Sequence, residues 1–372
     1  MKNIFKNLLI LFTIVVFSSV QCQYYLASGS WDGTVKIWDP EKEWKHVRTI
    51  GGIEKYYNFG VYVSFSPNGK YLAVGCEGNR IKILNVKTWK YLQIIDIPKG
   101  RITGLIFSRD SKHIIALSGR GGDYGFSVWD SKTGNEVAKL KLGQSLEKGT
   151  LARGPGKSIF FGTSNTVFCW DYEKKKFLYK WKRDKLLSLS CFLAFKSPFL
   201  YILKSDFHRA PREISEYLLF QFNITRNLPK GTKRMELIDQ DFLVARGLAL
   251  NPKGDSLAII SPRGAKLFDF KKDKEVINLP FIKGFAVAFS PDGKYLANGG
   301  MGKNEIQVWK VADLLKKKKP EPFKVLEGHK RHLSALAFSP FPPGKAEYEK
   351  QKTTIKPKDE EKRLKFVVEE IS

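Results

Sequence analysis

A short turn of similar chemistry recurs seven times along the chain. In each copy an apolar run leads into Ser, Pro, Asn, Asp and Gly residues, as in FSPNG from residue 65 and FSPDG from residue 289. With one Pro or Arg of each turn as its marker, the copies lie at Pro67, Arg109, Pro155, Pro198, Pro252, Pro291 and Pro340, and the intervals are 42, 46, 43, 54, 39 and 49 residues. A period in the forties means that the chain repeats one supersecondary unit and buries each copy against the next.

Each unit reads as β-structure throughout. An alternating apolar run precedes the turn, as in FAVAF, and a second run such as YLAVG follows it. A third run ends on an aromatic residue or leucine, as in VKIWD, IKILN and FSVWD. Short β-rich runs separated by turn residues are typical of antiparallel meanders. The period and the runs together predict an all-β fold, a seven-bladed β-propeller of four-stranded antiparallel blades.

The best-preserved copy contains a Gly-His pair, the strand LASGS, an Asp-Gly turn and a terminal Trp-Asp. With these features the chain resembles the WD-repeat family over roughly residues 24 to 345. Other copies depart from that pattern, since no second Gly-His occurs and Leu84, Phe220 and Phe268 replace the terminal Trp.

The two chain ends each carry half of one repeat. YYLASGSWDGTVKIWD (24–39) has no first strand before it in the predicted unit, and EGHKRHLSALAFSPFPPGK (327–345) has no second strand after it. We therefore predict that the closing blade is split between the two ends of the chain. Such closure removes the exposed sheet edges that would promote aggregation.

The N-terminus has the layout of a secretory signal peptide: two lysines, an apolar run from Leu8 to Phe17, and a cleavage site before Gln23. The predicted organisation is a signal peptide (1–22), a propeller (23–345) and a charged C-terminal tail (346–372). This organisation predicts a secreted or periplasmic protein that has no membrane span after cleavage. An uncleaved anchor and a strand inside the ring are the alternatives for the apolar run. A cytoplasmic or nuclear location is the alternative if the run is retained.

In WD-repeat proteins a buried Ser, His, Asp and Trp form a hydrogen-bonded tetrad. The resemblance assigns these roles to Ser28, Asp32, Trp38 and His329, and it implies that they stabilise the closing blade. A catalytic role is not favoured, because a nucleophile must be exposed beside its base and an oxyanion site. The sequence has no HExxH, no GxSxG and no His pair at metal-binding spacing. It therefore predicts a non-catalytic protein with no cofactor and no metal.

The net charge of the chain and the positions of its loops indicate which kind of partner it binds. The chain has 64 Lys and Arg against 37 Asp and Glu, a formal charge of +27, which attracts anionic partners. Binding residues concentrate on the loops of a rigid scaffold. In WD-repeat propellers one face of the ring carries the starts of the first strands and the turns between second and third strands. The candidates on that face are Trp31, Phe59, Arg101, Tyr124, His208, Arg209, Arg246, Arg263, Lys283 and His332.

These residues predict a basic rim with interspersed aromatics that binds other proteins through acidic segments, or a polyanion. We expect a monomeric ring within a complex. The alternative function is an RNA- or DNA-associated protein that uses KKKK (316–319) for nuclear import. SGRGGDYG (118–125) is interpreted as a lengthened hairpin turn and not a phosphate-binding loop, because a strand and not a helix follows it.

Overall fold

The computed structural model describes residues 24–53, 60–75, 80–97, 101–120, 123–142, 151–162, 166–182, 188–196, 199–206, 216–223, 233–238, 247–261, 264–270, 274–279, 284–300, 304–316 and 320–340. The predicted signal peptide and C-terminal tail lie outside these residues. The compartment and the domain boundaries therefore stay predictions.

The described strands form seven four-stranded antiparallel sheets. The closing sheet contains β1 (Leu26–Ser30), β2 (Val35–Asp39), β3 (Lys45–Ile50) and β28 (Leu333–Phe338). Three further sheets contain β4 (Tyr62–Phe65), β5 (Tyr71–Gly75), β6 (Arg80–Asn85) and β7 (Tyr91–Asp96); β8 (Arg101–Phe107), β9 (His113–Arg120), β10 (Asp123–Asp130) and β11 (Glu136–Lys141); and β12 (Leu151–Arg153), β13 (Ser158–Gly162), β14 (Thr166–Asp171) and β15 (Lys176–Lys182).

The remaining three contain β16 (Ser188–Lys196), β17 (Phe199–Asp206), β18 (Glu216–Asn223) and β19 (Lys233–Ile238); β20 (Gly247–Leu250), β21 (Ser256–Ser261), β22 (Gly264–Asp269) and β23 (Lys274–Leu279); and β24 (Gly284–Phe289), β25 (Tyr295–Gly300), β26 (Ile306–Lys310) and β27 (Lys324–Leu326). A 3-10 helix (Pro40–Lys42) and a short helix α1 (Val311–Leu314) are the helical elements of the described residues. In six of the sheets the structure describes the side chains over most of their length. For the sheet of β16 to β19 it describes mainly the backbone. No helix in the described part of the chain is long and apolar enough to cross a membrane.

The sheets are arranged in a ring. The first strand of each sheet contacts the first strand of the next, in the order β4, β8, β12, β16, β20, β24, β28 and back to β4. These first strands therefore surround the central channel of a β-propeller. We term the end of the ring where the first strands begin the top face, and the end where they finish the bottom face.

The closing sheet joins the two ends of the chain, as predicted. β28 pairs with β1 in antiparallel register, with Leu26 opposite Phe338 and Gly29 opposite Ala335. Tyr25 N donates to Ser339 Oγ, and Ser339 N donates to Tyr25 O, each at 2.8 Å. The strand at the C-terminal end of the propeller thus completes the N-terminal repeat.

Local chemistry explains the repeated unit. In the turn after β4, Ser66 Oγ donates to Asn68 Oδ1 (2.7 Å) and accepts from Tyr71 N (2.9 Å), while Gly69 has a φ of 69°, which disfavours residues with a Cβ. Of the aromatic residues and leucine predicted at the ends of third strands, those whose burial the structure describes are buried: Trp38, Leu84, Trp129, Trp170, Phe268 and Trp309. The side chain of Phe220 lies outside this description.

In five third strands the pairing register with the fourth strand shifts just before the buried aromatic residue or leucine. Such bulges increase the strand twist that a propeller blade needs.

One local prediction was wrong. Residues 118–125 do not form a lengthened turn, because β9 and β10 continue through this segment with Arg120 opposite Asp123. The two strands are joined by residues 121 and 122 alone. Backbone pairing along the sheet prevails here over the turn preference of the glycines.

Candidate functional site at the top of the closing sheet

The four residues of the predicted tetrad are linked by hydrogen bonds across the closing sheet. Trp38 Nε1 donates to Ser28 Oγ at 2.9 Å, and Ser28 Oγ lies 2.8 Å from His329 Nε2. His329 Nδ1 lies 3.0 Å from Asp32 Oδ2. A neutral imidazole with its proton on Nδ1 satisfies both of these contacts, because Nε2 accepts from the Ser28 hydroxyl and Nδ1 donates to the Asp32 carboxylate.

Asp32 is the best-connected member of this network. Its Oδ2 also accepts from Lys330 N (2.9 Å), and its Oδ1 accepts from Thr34 N (2.9 Å) and Thr34 Oγ1 (2.6 Å). Burial alone would raise the pKa of Asp32, but the hydrogen bonds from His329, Thr34 and Lys330 hold it well below its usual range. The ionised carboxylate therefore connects the turn after β1 to the segment before β28.

The geometry of the tetrad does not suit nucleophilic catalysis. Ser28 is completely buried, so no substrate can reach its hydroxyl. The described residues contain no group of three or more His, Cys, Asp or Glu side chains that could hold a metal ion.

An aromatic cluster lies directly beside the tetrad on the top face. Trp31 stacks on Phe285 with ring centroids 6.0 Å apart and an interplanar angle of 25°, and it meets His332 edge-to-face at 5.3 Å. Trp31 N donates to His332 O at 2.9 Å. Because Trp31 precedes Asp32 in the chain, the tetrad holds the turn that presents the indole.

His332 gives this cluster a polar group without a bonding partner. Its Nδ1 is buried and makes no hydrogen bond with the described residues. Buried polar atoms of this kind are uncommon in folded proteins, because each loses its hydration without compensation. Trp31, Phe285 and His332 are all half-buried, so a ligand on the top face can reach the cluster.

The structure brings together only two of the predicted top-face residues, Trp31 and His332. Arg101 begins β8, and its backbone pairs with Gly119. Tyr124 lies inside β10, not in a turn, and packs against the hydrophobic cluster between its sheet and β12–β15. Phe59, His208, Arg209, Arg246, Arg263 and Lys283 lie outside the described residues, and a continuous basic rim stays a prediction.

Phe285 was missed by the sequence analysis. It is the second residue of β24 and occupies the repeat position that Ser334 holds in β28. Since neighbouring first strands contact each other, a large residue at this position reaches the next sheet. Alignment of the repeats would have revealed the aromatic residue, but not its contact with Trp31.

Comparison with known proteins supports the WD-repeat propeller. The model of the WD domain, G-beta repeat, matches residues 14–39 and 55–85. The chain is 27% identical over 132 residues to the guanine nucleotide-binding protein subunit beta of Arabidopsis thaliana, and 26% identical over 130 residues to that of Solanum tuberosum. These alignments cover 34% of this chain and 34% and 33% of the two proteins, so the chain matches about a third of their length.

Two solved structures share the fold. Kuenenia stuttgartiensis hydrazine synthase superimposes with a TM-score of 0.61 at 15% identity, covering 75% of this chain and 90% of that one. The β-propeller domain of Cps50 (Swd1) from Myceliophteria thermophila gives a TM-score of 0.58 at 19% identity, with 77% and 92% covered. At such identities the likeness concerns the fold alone.

Proposed function

Because this chain is a WD-repeat β-propeller, we propose that it is a non-catalytic scaffold that binds another protein on its top face. The observation that supports this most directly is the cluster of Trp31, Phe285 and His332, which is half-buried and contains an unpartnered Nδ1. Aromatic residues of this kind are enriched at the energetically important centres of protein interfaces.

The chemistry of the cluster suits a partner segment with both an apolar and an acidic part. Trp31 and Phe285 offer flat apolar surface, and the half-buried imidazole of His332 adds a polar ring at its edge. The excess of 27 positive charges would attract such a segment from a distance. Export to the periplasm or the cell exterior, based on the layout of residues 1–22, is part of the same proposal.

The proposal is tested by comparing three variants of the full chain, each with a C-terminal tag and isolated from its native cells. Trp31→Ala and Phe285→Ala should lose the co-purified partner, whereas Tyr91→Ala should retain it. Tyr91 is a suitable control because it is an exposed aromatic residue on the outer strand β7. Retention of the same partners by all three variants would contradict binding through the top cluster.

An RNA- or DNA-associated function is the second candidate, and the net charge favours it. It predicts a different signature, since neutralising phosphates releases counterions and makes affinity fall steeply with salt. It also requires the N-terminal apolar run to be retained. N-terminal sequencing of the isolated protein separates the two, because a start at Gln23 supports export and a start at Met1 supports the second function.

A further inference from the structure

One sheet has an outer edge that differs from all the others. The outermost strands of the seven sheets are β3, β7, β11, β15, β19, β23 and β27. Six of them contain at least one basic residue, namely Lys45, Lys139, Lys176, Lys233, Lys274 and Lys324. β7, with the sequence YLQIID, contains no lysine or arginine. Lysine on an edge strand hinders pairing with a foreign strand, so β7 lacks a protection that every other sheet has.

In place of a basic residue, β7 exposes apolar side chains. Leu92 is 51% and Ile94 48% exposed, the two highest values among the large hydrophobic residues that the structure describes. Ile94 pairs with the residue two positions before the buried leucine of its third strand. The same position is apolar in β27, where it is Val325. In the other five sheets it is polar: Thr49, Lys139, Lys180, Glu236 and Asn278.

Neighbouring sheets contact β7 but leave its edge open in the described part of the chain. Tyr91 Oη donates to Gly51 O, in the segment after β3, at 3.4 Å. Gln93 Nε2 donates to Thr133 O, in the turn after β10, also at 3.4 Å. No described strand pairs with β7 on the side away from β6. The outward N–H and C=O groups of β7 therefore form a row to which another strand can bind.

We propose that two copies of the chain pair through β7, edge to edge and antiparallel, so that two blades join into one eight-stranded sheet. A second copy fits because the strand is self-complementary about Gln93. With Gln93 opposite Gln93 of the other copy, Leu92 lies opposite Ile94 and Lys90 lies opposite Asp96. A two-fold axis through this point makes each of these contacts occur twice.

Other registers of the same two-fold pairing fit less well. With Leu92 on the axis, Lys90 would lie opposite Ile94, and with Ile94 on the axis, Asp96 would lie opposite Leu92. Each places a charge against an apolar side chain, whereas the Gln93 register places opposite charges together. Lys90 is exposed, and the Asp96 side chain is 77% exposed although Arg80 contacts it. Both charges are therefore accessible to a second copy.

The pairing site lies on the outer rim of the ring, because β7 is the strand farthest from the channel in its sheet. It is separate from the aromatic cluster on the top face and does not depend on the proposed function. The expected monomeric ring would then be one half of a symmetric pair.

The test is sedimentation velocity of the purified full chain over a range of concentrations. One strand from each copy makes a small interface, so we expect a Kd on the order of 10 µM and a change from single to paired rings between about 1 and 100 µM. Ile94→Lys inserts the residue that β11 and β15 have at this position and should weaken the Kd at least about tenfold, because the change occurs twice in each pair. Val325→Lys makes the same change at the same position of β27 and should leave the Kd unchanged.

A disulfide tests the register. In a chain whose natural cysteines are serine, Gln93→Cys should form a cross-linked dimer under mild oxidation. Directly opposite residues of antiparallel strands have Cα atoms about 4.5–5.5 Å apart, which is within the range of a disulfide. Val325→Cys in the same background should remain uncross-linked.

Three results would overturn the proposal. The first is a wild-type chain that stays monomeric at about 100 µM, which would leave the edge of β7 to a strand of a different protein. The second is a Kd that Ile94→Lys leaves unchanged or that Val325→Lys weakens equally. The third is a Gln93→Cys chain that pairs without cross-linking.

Discussion

Removal of the His329 imidazole should destabilise the protein more than removal of any surface histidine. The ring makes two buried contacts, to Ser28 Oγ at 2.8 Å and to Asp32 Oδ2 at 3.0 Å. A neutral hydrogen bond contributes about 0.5–1.5 kcal/mol net and one to a charged group about 1.5–3 kcal/mol. Asp32 keeps its bonds from Lys330 and Thr34, so it is not left unsatisfied. We therefore expect His329→Ala to lower the free energy of unfolding by about 2–3 kcal/mol.

Urea denaturation followed by tryptophan fluorescence measures this loss directly. In a thermal scan the same loss should lower Tm by about 3–4 °C, from roughly 2.1 cal/mol/K of unfolding entropy per residue. His46→Ala is the control, because His46 is exposed on β3 and bonds to Thr49. Its ring also meets the edge of Trp38 at 5.5 Å, so we expect its loss to cost about 1 kcal/mol or less.

Coupling between the partners gives a second check. The double variant His329→Ala, Ser28→Ala should lose less than the sum of the single losses, because both single variants break the same bond. A loss for His329→Ala no larger than that of the His46 control would refute the argument that the tetrad stabilises the closing sheet.

Three other predictions concern pH, thiol reactivity and packing. The folded pKa of Asp32 lies below its unfolded value, so its contribution to stability is present above about pH 4 and is lost as pH falls further. The loss of unfolding free energy caused by Asp32→Asn, measured in urea, should therefore be constant from pH 5 to 7 and shrink below about pH 4. Burial raises the pKa of Cys169 to about 12, so in a chain whose other cysteines are serine, a thiol reagent should label it only after unfolding; rapid labelling of the native chain would contradict this. A Cβ at Gly29 would lie 2.6 Å from Val61 O, so Gly29→Ala should cost about 1–3 kcal/mol, whereas Gly51→Ala, with nothing within 4 Å, should be nearly neutral in the same denaturation assay.

The repeated unit could be predicted from the sequence because its signals are local. The Ser, Asn and Gly side chains of a turn act within five residues of each other, as Ser66 does with Asn68 and Tyr71. The closing sheet is not local, but counting incomplete repeats was sufficient to pair the two ends. The tetrad followed from the resemblance to a family, and its hydrogen bonds are present in the structure.

The functional surfaces were harder to predict because they depend on contacts between sheets. Phe285 and Trp31 are 254 residues apart, and their stacking depends on how two neighbouring sheets are rotated in the ring. The lack of lysine in β7 has no meaning in the sequence alone, and only the order of strands shows that β7 is an outermost strand whose counterparts are charged. Tyr124 was assigned to a turn because strand pairing past the glycines could not be seen in the sequence.

The paired chain ends have a mechanical consequence. Leu26 lies opposite Phe338, so the chain enters β1 and leaves β28 at the same, bottom, end of the closing sheet. Tension between the two termini would therefore peel the β1–β28 hydrogen bonds one after another, beginning at Tyr25 and Ser339, instead of shearing them all at once. The ring should open at low force when it is pulled by its ends, while a domain fused to either end would project from the bottom and leave the aromatic cluster on the top face unobstructed.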